Sequence, residues 1–341
     1  LLIAKIGKHF KKSNLIQIIL LFALFLTIFI VSTVSSMAAQ GGSFIPLWVI
    51  EAISSIYLPN EWFAASVHDL NFLNFVYLIV SHLGLFALFL FIVTKLSVKA
   101  NQNRVANKEV IIKSRETKKA PIFMALLKKE WRKFVGTPIY IFNSGMGLIM
   151  LIIFSAGALF FKDQIVPALG SFGSFVVLGF FAFCLSTVYT PAVSLSLEGK
   201  NFALLKTLPI KGETIVSVKT GFNLLLSLPI ILVSFPLAAI ALNLDIWVAL
   251  ASFLAIVSFS LVSSSFYAWL NIWFPRFDFK NEAEVVKQSM SAFLAVFGGF
   301  AIIIVDAAML VGLLFIPLPS IAFAIAFLAV VNCLLAVAIY L

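Results

Sequence analysis

The stretch SLSLEGKNFALLKTLPIKGETIVSVK, Ser194 to Lys219, is a short polar island between two long apolar runs. With Leu197 set to zero at 100° per residue, Leu204 and Leu208 fall within about 20° of it, Leu205 near ~80°, and Lys206 opposite, near ~180°. Glu198 sits near the start, where the positive end of a helix favours an acid, and Pro209 stops the run. The spacing predicts an amphipathic helix of about three turns, lying between two membrane spans. Its apolar face presses on something, and the pattern alone leaves lipid and a protein partner both open.

Outward from this island the chain is overwhelmingly apolar. Of 341 residues, 62% are hydrophobic and 11% charged, with 37 Phe; the mean hydropathy is +1.12. Soluble domains carry about 25% charged residues. Apolar runs recur that are long enough to cross a hydrocarbon core about 30 Å thick, without the ten-residue alternation of a membrane β-barrel. The chain reads as an all-α, polytopic membrane protein with about eight transmembrane helices plus amphipathic interfacial helices.

The net charge of +10 does not point to nucleic acid. Only Lys162 falls in a segment assigned to the outside, so 24 − 1 = 23 of the 24 basic residues lie in the terminal arm and alternate loops. That is the positive-inside pattern, and it places the amino terminus in the cytoplasm. The basic loops lie beside anionic lipid. Cys184 and Cys333 both sit in apolar spans, which argues against a disulfide framework. The first apolar run is too long for a cleavable signal peptide and lacks a small-residue cleavage pattern. A start at Leu1 without Met and an end inside an apolar run suggest a fragment of a longer polypeptide.

In chain order, residues 1–14 form a basic arm containing His9, and span one covers about Leu15 to Met37. Residues 38–68 are too broken to span and too apolar for a free loop. Trp48, Tyr57 and Trp62 favour the headgroup level, so this stretch reads as external interfacial or re-entrant helices. Span two, about Leu70 to Thr94, contains His82. With no second titratable group within a turn, His82 reads more simply as a helix-packing histidine than as a proton relay. Residues 1–95 thus form one part, 96–120 a basic cytoplasmic linker, and 121–341 a six-span module.

The module opens with IFMALLKKEWRKFVGTP, where Phe123, Leu127, Trp131, Phe134 and Val135 recur at helical spacing with bases on the other face. Residues 121–137 therefore form a surface-lying elbow helix. Thr137-Pro138 then opens span three as cap and first residue. Span three runs to about Phe161. A very short external link, Lys162-Asp163-Gln164, leads to span four, about Ala168 to Ala192. After the island at 194–219, span five covers about Thr214 to Leu242, with kinks expected at Pro229 and Pro236. Span six, about Ile246 to Trp273, carries the run Ser263 to Ala268, a small-residue face for close packing. A second cytoplasmic island, FPRFDFKNEAEVVKQS, precedes span seven, about Met290 to Phe315, with Gly298-Gly299 and the lone Asp306. Span eight begins about Ser320.

No chemistry of its own is encoded. Gly199-Lys200 is followed by Asn201 and lacks the upstream glycine of a phosphate-binding loop. No catalytic or metal-ligand spacing appears, so no catalytic residue, no metal site and no resident cofactor are expected. Asp306 is a candidate contact for a substrate or ion; the plainer reading is an acid paired with Ser or backbone in helix packing. Spans so poor in buried charge suit a protein whose energy comes from elsewhere.

Three stretches together resemble one family, the membrane (permease) subunits of bacterial ABC-2-type exporters. They are KKEWRKFVGTPIYIFN (Lys128 to Asn143), LEGKNFALLKTLPI (Leu197 to Ile210) and FPRFDFKNEAEVVKQS (Phe274 to Ser289). The second is the most specific, since an acid-Gly-Lys-Asn turn followed by an apolar helix and Leu-Pro is the family's form. The external IYLPNEWF, Ile56 to Phe63, resembles the Pro-x-x-Trp-Phe segment that precedes a last span in such permeases. The resemblance implies that Phe123, Leu127, Trp131 and Phe134 form the elbow. It implies that Glu198, Gly199, Lys200, Asn201, Leu204, Leu205, Lys206 and Pro209 form the interface to a separate ABC ATPase subunit, which would hold ATP and Mg. It further implies a bacterial plasma membrane, and a homodimer or a second permease as the other half. Spans one and two would end a preceding module, although the outer link Pro317–Ser320 is much shorter than the external stretch at 38–68. The other function class is an ion-coupled secondary transporter working through Asp306 or His82, or a non-transporting membrane scaffold.

Overall fold

The structure, a computed structural model, describes residues 58–102 and 121–341 together with Ala23. The basic arm, the rest of span one, residues 38–57 of the external stretch and residues 103–120 lie outside the described residues. The chain divides into two compact units, Leu1–Thr117 and Lys118–Leu341. Every regular element among the described residues is helical, and seven helical stretches are long and apolar enough to cross a membrane. The protein is an all-α, polytopic membrane protein.

In the first unit, α1 (Leu58–His68) is followed at once by α2 (Phe72–Gln102). Leu70 adopts a positive φ of 49° in the turn, and the Asn71 side chain accepts the Leu73 amide at 3.1 Å to start α2. Trp62 packs on Tyr77 across the pair at 5.8 Å. The helix runs past Thr94 to Gln102, so the first part of the stretch expected as a flexible linker is a helical continuation of span two.

The second unit begins with α3 (Ile122–Gly136), the elbow, and α4 (Pro138–Phe160), span three. The link that follows is longer than the three residues expected. Residues Lys162–Leu169 form α5, despite Pro167 inside it, and Gly170–Phe172 add a 3-10 turn. Gly170 has φ 51°, a left-handed conformation open to glycine at little cost. Span four starts only at α6 (Gly173–Ser186).

Span four is also not continuous. The helix ends at Thr187, turns through Val188 and Tyr189, and restarts as α7 (Thr190–Ser194) with Pro191 in its first turn. A break in a spanning segment is tolerated only where neighbours satisfy the freed backbone. Here Tyr267 donates to Ser186 O at 2.8 Å, Tyr140 to Thr190 O at 3.0 Å, and the Asn271 amide to Ala192 O.

The remaining helices are α8 (Phe202–Thr207), α9 (Gly212–Ala241), α10 (Ile246–Trp273), α11 (Glu282–Gln288), α12 (Met290–Leu314) and α13 (Ile321–Tyr340). Helix α9 continues unbroken through Pro229 and Pro236. Asp245 caps α10 by accepting the Trp247 and Val248 amides, and Ser289 caps α12 through the Ala292 amide.

Helix α10 is the axis of the unit, packed on α13 most extensively and also on α6, α7, α9 and α12. The expected small-residue face, Ser263 to Ala268, is buried apart from the partly covered Phe266. Gly298 and Gly299 of α12 cross this face so closely that a Cβ on either would collide, with Phe266 and with Tyr267 and Ser186 respectively. Small residues here let backbones approach within a dense van der Waals contact, the main attraction between helices in lipid.

Candidate functional site

The polar island folds differently from the helix predicted for it. Ser196–Asn201 is a 3-10 segment broken at Gly199, whose φ is 55° and ψ −137°, and only Phe202–Thr207 is α-helical. Leu197 and Leu204 therefore do not share a stripe. Leu197 and Leu205 are buried, whereas Leu204 is 67% and Leu208 49% exposed. The left-handed glycine reorients the backbone between them, which a uniform 100° count cannot anticipate. The ring of Phe279 lies 3.1 Å from where a Gly199 Cβ would sit, so this glycine also answers a close approach.

Glu198 is expected at a partner interface, but its side chain is 3% exposed. It accepts Lys129 Nζ at 2.6 Å on one oxygen, and on the other Lys133 Nζ at 2.6 Å and Lys219 Nζ at 3.4 Å. Lys219, itself buried, also reaches Glu130 Oε1 at 2.8 Å and Ser194 O at 3.0 Å. Lys133 bonds Ser194 O at 3.4 Å. Three ammonium groups thus face two carboxylates, 3 − 2 = 1 positive charge in excess. The cluster ties the elbow α3, the turn after α7, and the start of α9. The Oε2 atom of Glu130 is buried with no hydrogen-bond partner among the described residues.

The same cluster bears on the elbow. Phe134 is buried and Leu127 partly so, but Phe123, Trp131 and Val135 are largely exposed. The covered side of α3 carries Glu130, buried, and Lys133, partly covered, beside Phe134. Phe134 meets Tyr140 at 5.1 Å and Phe222 at 5.5 Å, edge to face, and Trp131 lies on Phe222 at 6.3 Å. The elbow is docked on α9 by this aromatic group and the ion cluster together.

A second network fixes the turn from the other side. Asn271 of α10, fully buried, accepts the Ser196 amide at 3.0 Å and donates to Ser196 Oγ and Ser291 Oγ, each at 3.1 Å. Ser196 Oγ in turn accepts the Arg276 amide at 2.9 Å. Phe202 stacks on Phe277 at 4.6 Å and 10° between planes. Arg276 pairs with Glu284 at 3.2 Å. The islands at 194–219 and 274–289 are therefore one packed structure. Glu130, Lys129, Lys133, Lys219 and Asn271 were not singled out from sequence. Their signal was a lone acid, Glu130, among the bases of the elbow and an acid, Glu198, at the start of the island.

Of the eight residues expected at the interface, Glu198, Gly199 and Leu205 are buried, whereas Lys200, Asn201, Leu204, Lys206 and Pro209 are exposed. Lys206 lies over the Phe202 ring at 4.9 Å. The exposed set forms a basic, leucine-bearing surface on a rigid base.

The two polar residues expected inside the membrane differ. His82 is exposed and its Nδ1 lies 2.8 Å from Leu78 O of its own helix. Asp306 is 9% exposed and accepts the Asn332 amide at 2.9 Å, a partner other than the Ser or backbone expected. Among the described residues no group of three or more His, Cys, Asp or Glu gathers to hold a metal. Cys184 and Cys333 are both free. Comparison with family models, with curated proteins and with solved structures finds no match.

Proposed function

We propose that the chain is the transmembrane permease subunit of an ABC-2-type exporter in the bacterial plasma membrane, driven by ATP hydrolysed on a separate ATPase subunit. One observation carries this reading. An exposed short helix with Leu204 and Lys206 stands on a base whose ion cluster and Asn271 network reach the elbow, α9, α10 and α12. A push on the surface helix therefore passes to four helices through rigid polar contacts rather than through a flexible loop. The amino terminus is on the cytoplasmic side, where the ATPase docks, and the other half of the transporter is a second copy or a second permease.

The burial pattern supplies a sharper test than the leucine pair taken together. Leu204→Asp places a charge on the exposed surface, whereas Leu205→Asp buries one. The experiment is affinity purification from the native membrane with mass-spectrometric identification of P-loop ATPases. The wild-type chain is expected to retain one such ATPase, and Leu204→Asp to lose it while keeping its thermal unfolding midpoint. A wild-type chain without an ATPase, or an Leu204→Asp chain that keeps it in full, would contradict the proposal.

A further inference from the structure

A cavity of about 310 Å³ lies within the second unit, at the low end of the ~300–1,000 Å³ typical of small-molecule sites. Its wall comes from α6, α10, α12 and α13, with Phe175, Phe259, Leu310 and Leu328 among its apolar surfaces. Among the described residues Asp306 is the one polar side chain in that wall. It lies 16 residues beyond Met290 along α12, about 24 Å at 1.5 Å per residue, and so far from the Glu198 cluster.

The hydrogen bonding of Asp306 is incomplete. Its Oδ2 accepts the Asn332 amide at 2.9 Å, and no other hydrogen bond or ion pair reaches it from the described residues. A carboxylate offers about four acceptor positions. Asn332 is itself fully buried, and its Oδ1 has no partner. Two acceptor oxygens of one buried pair thus lack donors. A carboxylate that served only to pack helices would be closed off by donors, because an unpaired buried charge is costly in an apolar surrounding. Here it borders open space.

The chemistry that answers both features is an apolar body bearing one positively charged donor. The phenylalanine and leucine wall takes the body, and the carboxylate takes an ammonium group by a charge-assisted hydrogen bond. Anionic ligands find no base in the wall, and neutral apolar ones leave the carboxylate unpaired.

We propose that this cavity binds an amphipathic amine, an apolar molecule with a single protonated nitrogen that ion-pairs with Asp306. The site belongs to this chain alone; that its ligand is exported cargo rests on the permease reading.

The test uses the full chain in phosphatidylcholine nanodiscs, with tritiated 4-phenylbutylamine as probe and tritiated 4-phenylbutanol as its neutral counterpart. Equilibrium dialysis against empty discs subtracts partition into lipid. The wild type is expected to bind the amine saturably and ~tenfold or more tighter than the alcohol. Asp306→Asn is expected to remove that preference. Gly179 lines the cavity, and a Cβ added there meets no atom within 4 Å. Gly179→Leu, which extends into that space, is expected to weaken both probes, and it keeps the test open should Asp306→Asn fail to fold. Equal affinity for amine and alcohol, an amine preference that survives Asp306→Asn, or no saturable amine binding would each overturn the proposal. ATPase retention on the same preparations separates the two readings. Retention without amine binding removes the site and leaves the permease, and amine binding without an ATPase does the reverse.

Discussion

Glu198 meets three ammonium groups within 3.4 Å, whereas Asp306, buried in the same unit, meets one amide at 2.9 Å. Glu198 sits where a turn, the basic elbow and the start of α9 converge, so two lysines of the elbow and one of α9 reach it. Asp306 sits far along a span whose neighbours are Phe, Leu, Ile and Ala. The difference teaches how the two acids are used. The first is consumed by the protein's own cations and holds elements together. The second keeps an acceptor oxygen that no described side chain occupies.

Breaking the first side of this comparison has the largest expected effect. Glu198→Ala leaves the buried Lys219 and the partly buried Lys133 with only Glu130 between them, and loss of one partner from a buried ion pair costs about 3–5 kcal/mol. Thermal unfolding in nanodiscs is expected to show a midpoint well below wild type. A double-mutant cycle of Glu198→Gln with Lys219→Gln is expected to recover part of the loss, and strict additivity would show that the two do not act as a unit.

The leucine pair sharpens the contrast between base and surface. Leu205→Ala removes a buried side chain and is expected to cost about 2–5 kcal/mol, while Leu204→Ala stays within about 0.5 kcal/mol. Equal midpoints for the two would mean that the turn is not seated on the cluster as described. Asn271→Leu comes next. It keeps the branching at Cγ but strands Ala192 O and the Ser196 amide, at about 1–3 kcal/mol for each unsatisfied group, and proteolysis at the turn near 187–201 is expected to quicken.

A small effect is expected at the second acid. Asp306→Asn removes a charge that no cation balances and keeps a side chain able to bond Asn332, so stability is expected to stay within about 1 kcal/mol of wild type or to rise. A loss comparable to that of Glu198→Ala would show that Asp306 is a structural acid after all.

Much of the scaffold was legible in the sequence. Spans three, six and seven begin and end within about a residue of their apolar runs, because Thr137-Pro138 and Asp245 mark their starts and polar turns bound them. The small-residue face of α10 was visible for the same reason. The break at 187–189 was not, since Ser, Thr, Val and Tyr read as an ordinary apolar stretch, and what permits the break lies in Tyr140, Tyr267 and Asn271, far off in the chain. Pro191 was the available hint. Glu130 was given no place in the elbow, because helical periodicity set only the apolar residues against the bases. Its burial depends on Lys219, 89 positions away, which no local pattern contains. Gly199 was noticed as part of a motif, but its left-handed conformation, which splits Leu197 from Leu204, belongs to the packing of Phe279.

The central claim is that the exposed Leu204, and not the buried acid beneath it, meets the ATPase. Titration of the purified ATPase onto the chain in nanodiscs tests it most directly, comparing wild type with Leu204→Asp at equal thermal stability. The account predicts at least ~tenfold weaker binding for the variant. Unchanged affinity would contradict it.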